Sequence, residues 1–301
     1  MIDRRTFLAA SAGAALAAAC RAAEPARKPS YGEIAVETRK RLEAIRATLG
    51  PGGRLGVAAI DTGSGHEMLF DADSRYSMAS TFKLPLAAAV LAQAEQGKLS
   101  VDEALPFGAG DPLDNSPTVK ANLALGRLPV WQLCAAAVEV SDNSAANLLL
   151  RRIGGPEAVT RFVRACGDPV TRLDRFEMEL NSNLPGDPRD TTSPAAMARL
   201  VRKLVLGDVL TRENRNRLSL WMKKSVPGPD RLKAGFPVPP WLVGHKTGTG
   251  ANGAVNDVAI AWRSGKAPVV VACYQSGGTA DRPARFAAHA AVGRLVAETS
   301  A

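Results

Sequence analysis

Four short motifs hold the side chains best suited to chemistry in this chain of 301 residues. In chain order they are Ser80-Thr-Phe-Lys83, Ser141-Asp-Asn143, Glu177-Met-Glu-Leu-Asn181 and Lys246-Thr-Gly248. A serine hydroxyl is a weak nucleophile until a base takes its proton, and a lysine amine can be that base if burial or nearby cations lower its pKa. Ser80 and Lys83 are one helical turn apart and would share a face. The first motif therefore predicts a nucleophile beside its base, although a bare Ser-x-x-Lys is by default a helix cap.

The four motifs, in this order and at these separations, resemble the active-site signature of class A serine β-lactamases, which penicillin-binding proteins share in part. The resemblance covers the chain from about residue 31 to the C-terminus. It implies that Ser80 attacks the β-lactam ring, with Lys83 as the neighbouring amine. It also implies that Ser141 relays a proton to the leaving β-lactam nitrogen and that Asn143 holds the acylamino side chain of the substrate.

The last motif is expected to line the opposite wall of the site. The resemblance implies that Lys246 supplies positive potential near the substrate carboxylate and that the hydroxyls of Thr247 and Thr249 bond this carboxylate. The N–H of Thr249 would complete the oxyanion hole, and Gly248 would let the ligand approach the strand closely. Arg231 matches a second carboxylate-binding cation in part of the family, and a surface arginine is the alternative reading.

Glu177 is the residue that distinguishes a β-lactam hydrolase from a protein that is acylated and does not turn over. Penicillin-binding proteins that carry the other three motifs react with penicillin and stop, because nothing activates water against the ester. A carboxylate on a loop, with Asn181 holding the water beside it, supplies a general base for deacylation. Whether Glu177 or Lys83 is also the acylation base is open for the class.

Residues 172–192 lack a regular period and contain many Asp, Arg, Asn and Pro residues, which predicts a long functional loop. An ion pair between Arg175 and Asp190 is expected to pin the base of this loop. The family usually has proline where Met178 stands, often after a cis peptide bond. The sequence leaves the isomer of the Glu177–Met178 bond open.

Two further positions depart from the family pattern. Asn115 stands where an aromatic residue usually guards the entrance to the site, so a stacking wall is expected to be missing. His245 precedes Lys246 at a position where an acidic residue is common, and we expect it to have a structural role.

The elements that must position the motifs follow from hydrophobic periodicity. Strands are predicted at 54–60, 67–70, 241–246, 255–262 and 268–274. Helices are predicted at 33–48, 80–96, 130–139, 143–153, 156–166, 194–206, 211–223 and 283–298. Strands from both chain ends around a helical middle indicate an α/β (α+β) fold: an antiparallel sheet built from both ends, flanked by helices, with an inserted all-α lobe. The α/β lobe is expected at about 31–72 and 225–301 and the helical lobe at about 73–224, with the active site between them.

The N-terminal segment is predicted to direct export. Arg4-Arg5-Thr-Phe-Leu8 is a twin-arginine pattern, and the apolar run after it is too short to anchor the chain across a bilayer. We therefore predict an export signal at 1–20, a tether at 21–30 and the β-lactamase domain at 31–301. Ala17-Ala-Ala-Cys20 also resembles a lipoprotein box, so a lipid anchor at Cys20 is the alternative to a cleaved, soluble periplasmic protein.

Composition excludes several classes of partner. The formal net charge is +9, but no nucleic-acid motif accompanies the scattered arginines, so we expect no nucleic-acid partner. Neither a metal-ligand cluster nor a cofactor motif is present in the sequence, so no metal and no cofactor are expected. Beyond the leader, three cysteines are predicted to be buried free thiols: Cys134, Cys166 and Cys273. A monomer that acts on small β-lactam molecules is expected.

The sequence leaves three functions possible. The leading hypothesis is a periplasmic β-lactam hydrolase that confers antibiotic resistance. A peptidoglycan DD-peptidase is the nearest rival, and the 177–181 segment argues against it. A non-hydrolytic penicillin-binding sensor would be acylated once and would not turn over.

Overall fold

The computed structural model describes residues 31–300, which form a mixed α/β fold. The strands are β1 (Arg54–Asp61), β2 (Glu67–Phe70), β3 (Tyr76–Ser77), β4 (Ala104–Pro106), β5 (Arg127–Pro129), β6 (Thr191–Thr192), β7 (Trp241–Thr249), β8 (Val255–Arg263) and β9 (Val269–Ser276). The helices are α1 (Tyr31–Ala47), α2 (Lys83–Glu95), α3 (Pro117–Ala121), α4 (Val130–Glu139), α5 (Asn143–Ile153), α6 (Pro156–Ala165), α7 (Pro194–Leu206), α8 (Arg212–Lys223), α9 (Leu232–Gly235) and α10 (Arg282–Thr299). Short 3₁₀ helices form at Ala79–Phe82 and Glu179–Asn181.

The main sheet has five strands in the order β2-β1-β9-β8-β7, and every neighbouring pair is antiparallel. Strand β1 comes from the start of the described chain and lies beside β9 from its end, with Arg54 opposite Ser276. The predicted fold class, an antiparallel sheet assembled from both ends of the chain, is therefore confirmed. The division into two lobes with the boundaries given above stays a prediction.

Helices cover both faces of this sheet. Because successive strand side chains point to opposite faces, Val270 joins the core on the side of α7 and the helical middle. Its neighbour Val271 joins the core beneath α1 and α10. Strand β9 is buried on both faces, which explains why its sequence is apolar without alternation.

Helix α2 lies at the centre of the helical middle. Ten consecutive residues at its start, from Lys83 to Ala92, are buried, so the helix is enclosed on all sides. The predicted helix 80–96 is wrong at its start, because the chain enters as a 3₁₀ turn at 79–82 and becomes α-helical only from Lys83. Pro85 falls within the first turn of α2, where a missing backbone N–H costs little.

The long predicted elements are confirmed, and their ends shift by a few residues. Helices 130–139, 143–153 and 194–206 coincide with α4, α5 and α7. The strand predicted to end at Lys246 is wrong at that end, because β7 continues to Thr249 in register with β8. The short elements α3, α9 and β3 to β6 were not predicted, since so few residues carry no recognisable period.

The cysteine prediction is also confirmed, since Cys134, Cys166 and Cys273 are buried free thiols. None of the helices within 31–300 has the length and apolar character required to cross a membrane. The predicted export signal, tether and lipid anchor at Cys20 lie outside the described residues.

Two glycines allow α9 to lie directly against the backbone of α10. A Cβ added at Gly293 would lie 2.3 Å from the carbonyl oxygen of Leu232, and one at Gly235 would lie 2.1 Å from that of Ala290. Both distances are far below van der Waals contact, so no other residue fits without a shift of the backbone. Because Arg231 is the residue that precedes α9, this contact also fixes the position of Arg231.

We expect Gly293→Ala to lower the free energy of unfolding by about 1–3 kcal/mol, the usual range for overpacking a core. Alanine favours a helix interior over glycine by roughly 1 kcal/mol, but the backbone oxygen of Leu232 cannot rotate away as a side chain would. Urea denaturation measures the change. Gly108→Ala is the matched control, because a Cβ there meets nothing within 4 Å. A Gly293→Ala protein as stable as the control would contradict this account of the helix contact.

Candidate active site

A cleft of about 890 Å³ lies along β7 and is lined by residues of all four motifs. The predicted residues that line it include Ser80, Ser141, Asn143, Asn181, Thr247 and Gly248. Three charged predicted residues lie behind this lining, since the side chains of Lys83 and Glu177 have no exposed surface and Lys246 is fully buried. The structure therefore brings the four motifs together at one site.

The turn that carries Ser80 is held against β7. Ala79 has a positive φ of 43°, which non-glycine residues seldom adopt and which turns the chain into the 3₁₀ helix. A Cβ at Gly248 would lie 2.8 Å from the carbonyl oxygen of Met78 and 3.1 Å from the backbone nitrogen of Ser80. Gly248 is thus required for the approach of β7 to this turn, a reason that the sequence did not indicate.

Lys83 is the hub of the buried hydrogen bonds. Its Nζ lies 3.1 Å from Ser80 Oγ, 2.9 Å from Glu177 Oε1 and 2.9 Å from the carbonyl oxygen of Ser141. It also donates to Oδ1 of Asn143. Burial lowers the pKa of Lys83, and the charge of Glu177 opposes this shift. The expected face-sharing of Ser80 and Lys83 is confirmed.

Glu177 is fixed through its backbone and its side chain. Asn147 donates from Nδ2 to the Glu177 carbonyl oxygen at 2.9 Å and accepts from the Glu177 N–H at 2.9 Å. Asn181 Nδ2 donates to Glu177 Oε2 at 2.7 Å, and Ser80 Oγ lies 3.4 Å from Glu177 Oε1. The peptide bond between Glu177 and Met178 is cis. Asn147 was not predicted, although its position four residues after Asn143 places both on one face of α5.

The loop that carries Glu177 is closed at its base by Asp190. One carboxylate oxygen of Asp190 accepts the backbone N–H groups of Asp174 at 2.7 Å and Arg175 at 3.0 Å. The other oxygen accepts from Arg175 Nε at 2.6 Å. The predicted Arg175–Asp190 ion pair is therefore confirmed, and Asp190 is completely buried.

Ser141 lies between the two buried lysines. Lys246 Nζ donates to Ser141 Oγ at 3.0 Å, and Lys83 Nζ lies 3.4 Å from the same oxygen. Burial, together with the positive charges of Lys83 and Arg231, holds the pKa of Lys246 well below its usual range. A hydroxyl in this position can give a proton away and take another from an adjacent ammonium group.

Asn115 lines the cleft and is hydrogen-bonded to the Ser141 motif. Its Nδ2 donates to the carbonyl oxygen of Ser141 at 2.9 Å, and its own carbonyl oxygen accepts the N–H of Asn143 at 3.1 Å. Asn143 in turn donates from Nδ2 to the carbonyl oxygen of Asp114 at 2.8 Å. Asn115 therefore holds the Ser141 loop, which the sequence did not indicate.

Arg231 is buried, so its alternative reading as a surface arginine is wrong. Its Nη1 donates to the carbonyl oxygens of Gly248 and Asn256, each at 2.9 Å. Its Nη2 donates to Thr249 Oγ1 at 2.8 Å. Because this oxygen accepts from Arg231, the hydroxyl hydrogen of Thr249 is free to point into the cleft.

His245 on β7 and Asp257 on β8 form a buried pair. His245 Nδ1 lies 3.1 Å from both carboxylate oxygens of Asp257, and Asp257 also accepts the N–H of Leu232 at 3.2 Å. Burial alone would raise the pKa of Asp257, but the charge and hydrogen bond of His245 hold it below its usual range. Asp257 was not predicted, because its partner is only apparent once β7 and β8 are paired.

Within the described part of the chain, no group of three or more His, Cys, Asp or Glu residues could hold a metal ion.

A model of the β-lactamase enzyme family matches residues 37–299. The chain belongs to the β-lactamase enzyme family. It is 44% identical over 248 residues to the carbapenem-hydrolyzing β-lactamase KPC of Klebsiella oxytoca, covering 82% of this chain and 84% of that protein. It is 41% identical over 312 residues to a β-lactamase of Streptomyces albus G, covering 99% of this chain and 97% of that protein.

The solved structures agree with this assignment. An ancestral class A β-lactamase superposes with a TM-score of 0.84 at 48% identity, covering 87% of this chain and 99% of the ancestral one. The resemblance to class A β-lactamases that the four motifs carry is therefore confirmed.

In this β-lactamase, Asp190→Asn is expected to loosen the loop 172–192. An amide keeps one acceptor oxygen, so either Arg175 or the two backbone N–H groups lose their partner. Removing one member of a buried pair costs about 3 kcal/mol or more. Hydrogen exchange of the loop should accelerate by about 100-fold or more, since each 1.4 kcal/mol is a factor of ten.

Glu179→Gln is the control in the same loop, because the Glu179 carboxylate is exposed and forms no ion pair with another residue of 31–300. Equal exchange rates in the Asp190→Asn protein and in the control would contradict the assigned role of the ion pair.

Proposed function

We propose that this chain hydrolyses the β-lactam amide bond of penicillin- and cephalosporin-type antibiotics through an acyl-enzyme on Ser80, and so confers resistance on its host. The observation that carries the proposal is the position of Glu177. Its carboxylate lies 3.4 Å from the nucleophile and is held by Asn181. This geometry supplies what a stalled acyl-enzyme lacks, a base beside the ester.

Acylation begins with the loss of the Ser80 proton. Lys83 and Glu177 are 2.9 Å apart and both fully buried, so they act as one coupled pair that takes this proton. Ser80 Oγ attacks the β-lactam carbonyl carbon, and the C–N bond of the ring breaks. Ser141 gives its proton to the departing nitrogen and regains one from the lysines on either side.

Deacylation returns the enzyme to its starting state. Glu177 takes a proton from water, and the water oxygen attacks the ester carbonyl carbon. The bond to Ser80 Oγ breaks, the serine is reprotonated, and the ring-opened acid leaves. Asn181 donates from Nδ2 to Glu177 Oε2 at 2.7 Å and to the Met178 carbonyl oxygen at 3.2 Å, and so holds the base beside the water that it deprotonates.

The substrate carboxylate is assigned to the end of the cleft nearest Arg231. A negative group bound there would face the hydroxyls of Thr247 and Thr249. The positive charges of Lys246 and Arg231 would attract it. The backbone N–H groups of Ser80 and Thr249 are assigned to the oxyanion, since preorganised donors at the developing charge contribute most to such reactions. Asn143 keeps one amide hydrogen for the acylamino side chain.

Turnover of benzylpenicillin, followed by released penicilloic acid and intact mass together, tests this function. Ser80→Ala should lower kcat by about 10³-fold or more, as expected when a nucleophile is removed. Glu177→Gln preserves the shape of the side chain and removes the base, so a covalent penicilloyl adduct should accumulate. Glu179→Gln, which removes an exposed carboxylate of the same loop, is the control and should not trap the adduct.

The rival functions predict different masses. A long-lived adduct on the unmodified protein would indicate a DD-peptidase or a sensor in place of a hydrolase. The absence of both adduct and product would exclude penicillin as a ligand.

We also propose that the chain is exported through its twin-arginine signal and acts in the periplasm as a monomer. Class A relatives are typically exported, and the first twenty residues carry the pattern described above. The intact mass of protein from the cell envelope should equal that of a chain without this leader, and a lipid anchor would add a mass that Cys20→Ala removes. The double variant Arg4→Lys with Arg5→Lys should keep its leader, and normal processing of it would contradict twin-arginine export.

A further inference from the structure

One wall of the cleft combines two arginines and an aromatic ring. Arg231, Arg282 and Phe286 all line the cleft. The Arg231 guanidinium carbon lies 4.6 Å from the centre of the Phe286 ring. Arg282 and Phe286 are four residues apart on α10, so they lie on the same face of the helix. The three side chains therefore form a continuous surface next to Thr249.

The two arginines differ in how they are used. Arg231 is buried and donates to two carbonyl oxygens and to Thr249, so it acts on the ring carboxylate through that hydroxyl. The side chain of Arg282 is exposed and makes neither a hydrogen bond nor an ion pair with any other residue of 31–300. Burial is the main cause that lowers the pKa of Arg231, and the positive charge of Arg282 lowers it further.

The charge around the cleft is uneven. Among the residues that line it, Glu179 is the one acid, and it lies on the loop that carries Glu177. Arg282 is near Arg231, at the end of the cleft assigned to the substrate carboxylate. This end of the cleft thus has a positive charge that the ring carboxylate does not need.

We propose that Arg282 is a specificity-determining residue that binds a second negative charge on cephalosporins, carried by the substituent next to the ring carboxylate. The inference rests on the proposed function. In a cephalosporin, the carbon that bears this substituent is bonded directly to the carbon that bears the carboxylate. The substituent therefore leaves the ring at the end of the cleft where Arg282 lies, and Phe286 offers apolar surface to a planar ring within it.

Cefamandole and cefonicid form a matched pair of substrates. They share the same acylamino side chain and the same tetrazolylthiomethyl substituent, and the tetrazole carries a methyl group in cefamandole and a sulfomethyl group in cefonicid. The measured quantity is the ratio of kcat/KM for cefonicid to that for cefamandole. Any effect on the shared parts of the molecules cancels in this ratio.

Arg282→Ala should lower this ratio by about threefold, through KM, as expected for an exposed ion pair. Arg282→Glu should lower it further, because repulsion replaces attraction. In about 0.5 M sodium chloride the difference between unmodified and Arg282→Ala protein should shrink, since the Debye length is then only a few ångströms.

Arg294→Ala is the matched control. It removes the same charge from an exposed position on the same helix, about 18 Å further along at 1.5 Å per residue. An unchanged ratio in Arg282→Ala overturns the proposal. An equal fall in Arg294→Ala also overturns it, because the cause would then be net charge and not a subsite.

The failure of the proposed function is distinguishable from the failure of this inference. If the unmodified protein turns over neither benzylpenicillin nor cefamandole, hydrolysis is contradicted. The ratio of the dissociation constants of the two cephalosporins, measured on Ser80→Ala protein with and without Arg282→Ala, then tests the subsite alone.

Discussion

The ion pair between Lys83 and Glu177 is the constraint on which the rest of the site depends. The two groups lie 2.9 Å apart with no exposed surface, and neither charge would be tolerated there alone. They come from different parts of the chain, Lys83 from the buried helix α2 and Glu177 from the long loop. The fold must therefore bring the helix and the loop together accurately. The loop is held by its hydrogen bonds with Asn147, Asn181 and Asp190.

Positive charge beneath the cleft is only partly neutralised. Lys83, Lys246 and Arg231 are all buried there, and Glu177 pairs directly with Lys83. Lys246 and Arg231 form no ion pair with any carboxylate of residues 31–300, because the nearby Asp257 binds a histidine and the start of α9. Such a site favours a ligand that brings its own negative charge, and the carboxylate of the proposed substrate has this property.

Most of the architecture could be predicted because long elements have strong periods and the catalytic groups lie in recognisable motifs. What could not be predicted depends on contacts between distant segments. Asn147 and Asp257 have ordinary types in ordinary positions, and only the folded chain shows what they bind. Arg231 could not be separated from a surface arginine, because its burial results from β7, β8 and α10 together. Gly248 was singled out for a reason that concerns the ligand, whereas the structure shows a close approach of two backbone segments.

Strand β1, the first strand of the described residues, pairs with β9, the last of them, so its pairing is completed only when nearly the whole chain is present. Until residues near Ser276 are synthesised and in place, the edge of β1 that β9 will occupy has no partner. Contacts between such distant segments make folding slow, because the entropy of closing the intervening chain is lost before the pairing repays it. A nascent or truncated chain therefore presents an open strand edge that can pair with other molecules, and protection from aggregation arrives only with the C-terminal segment.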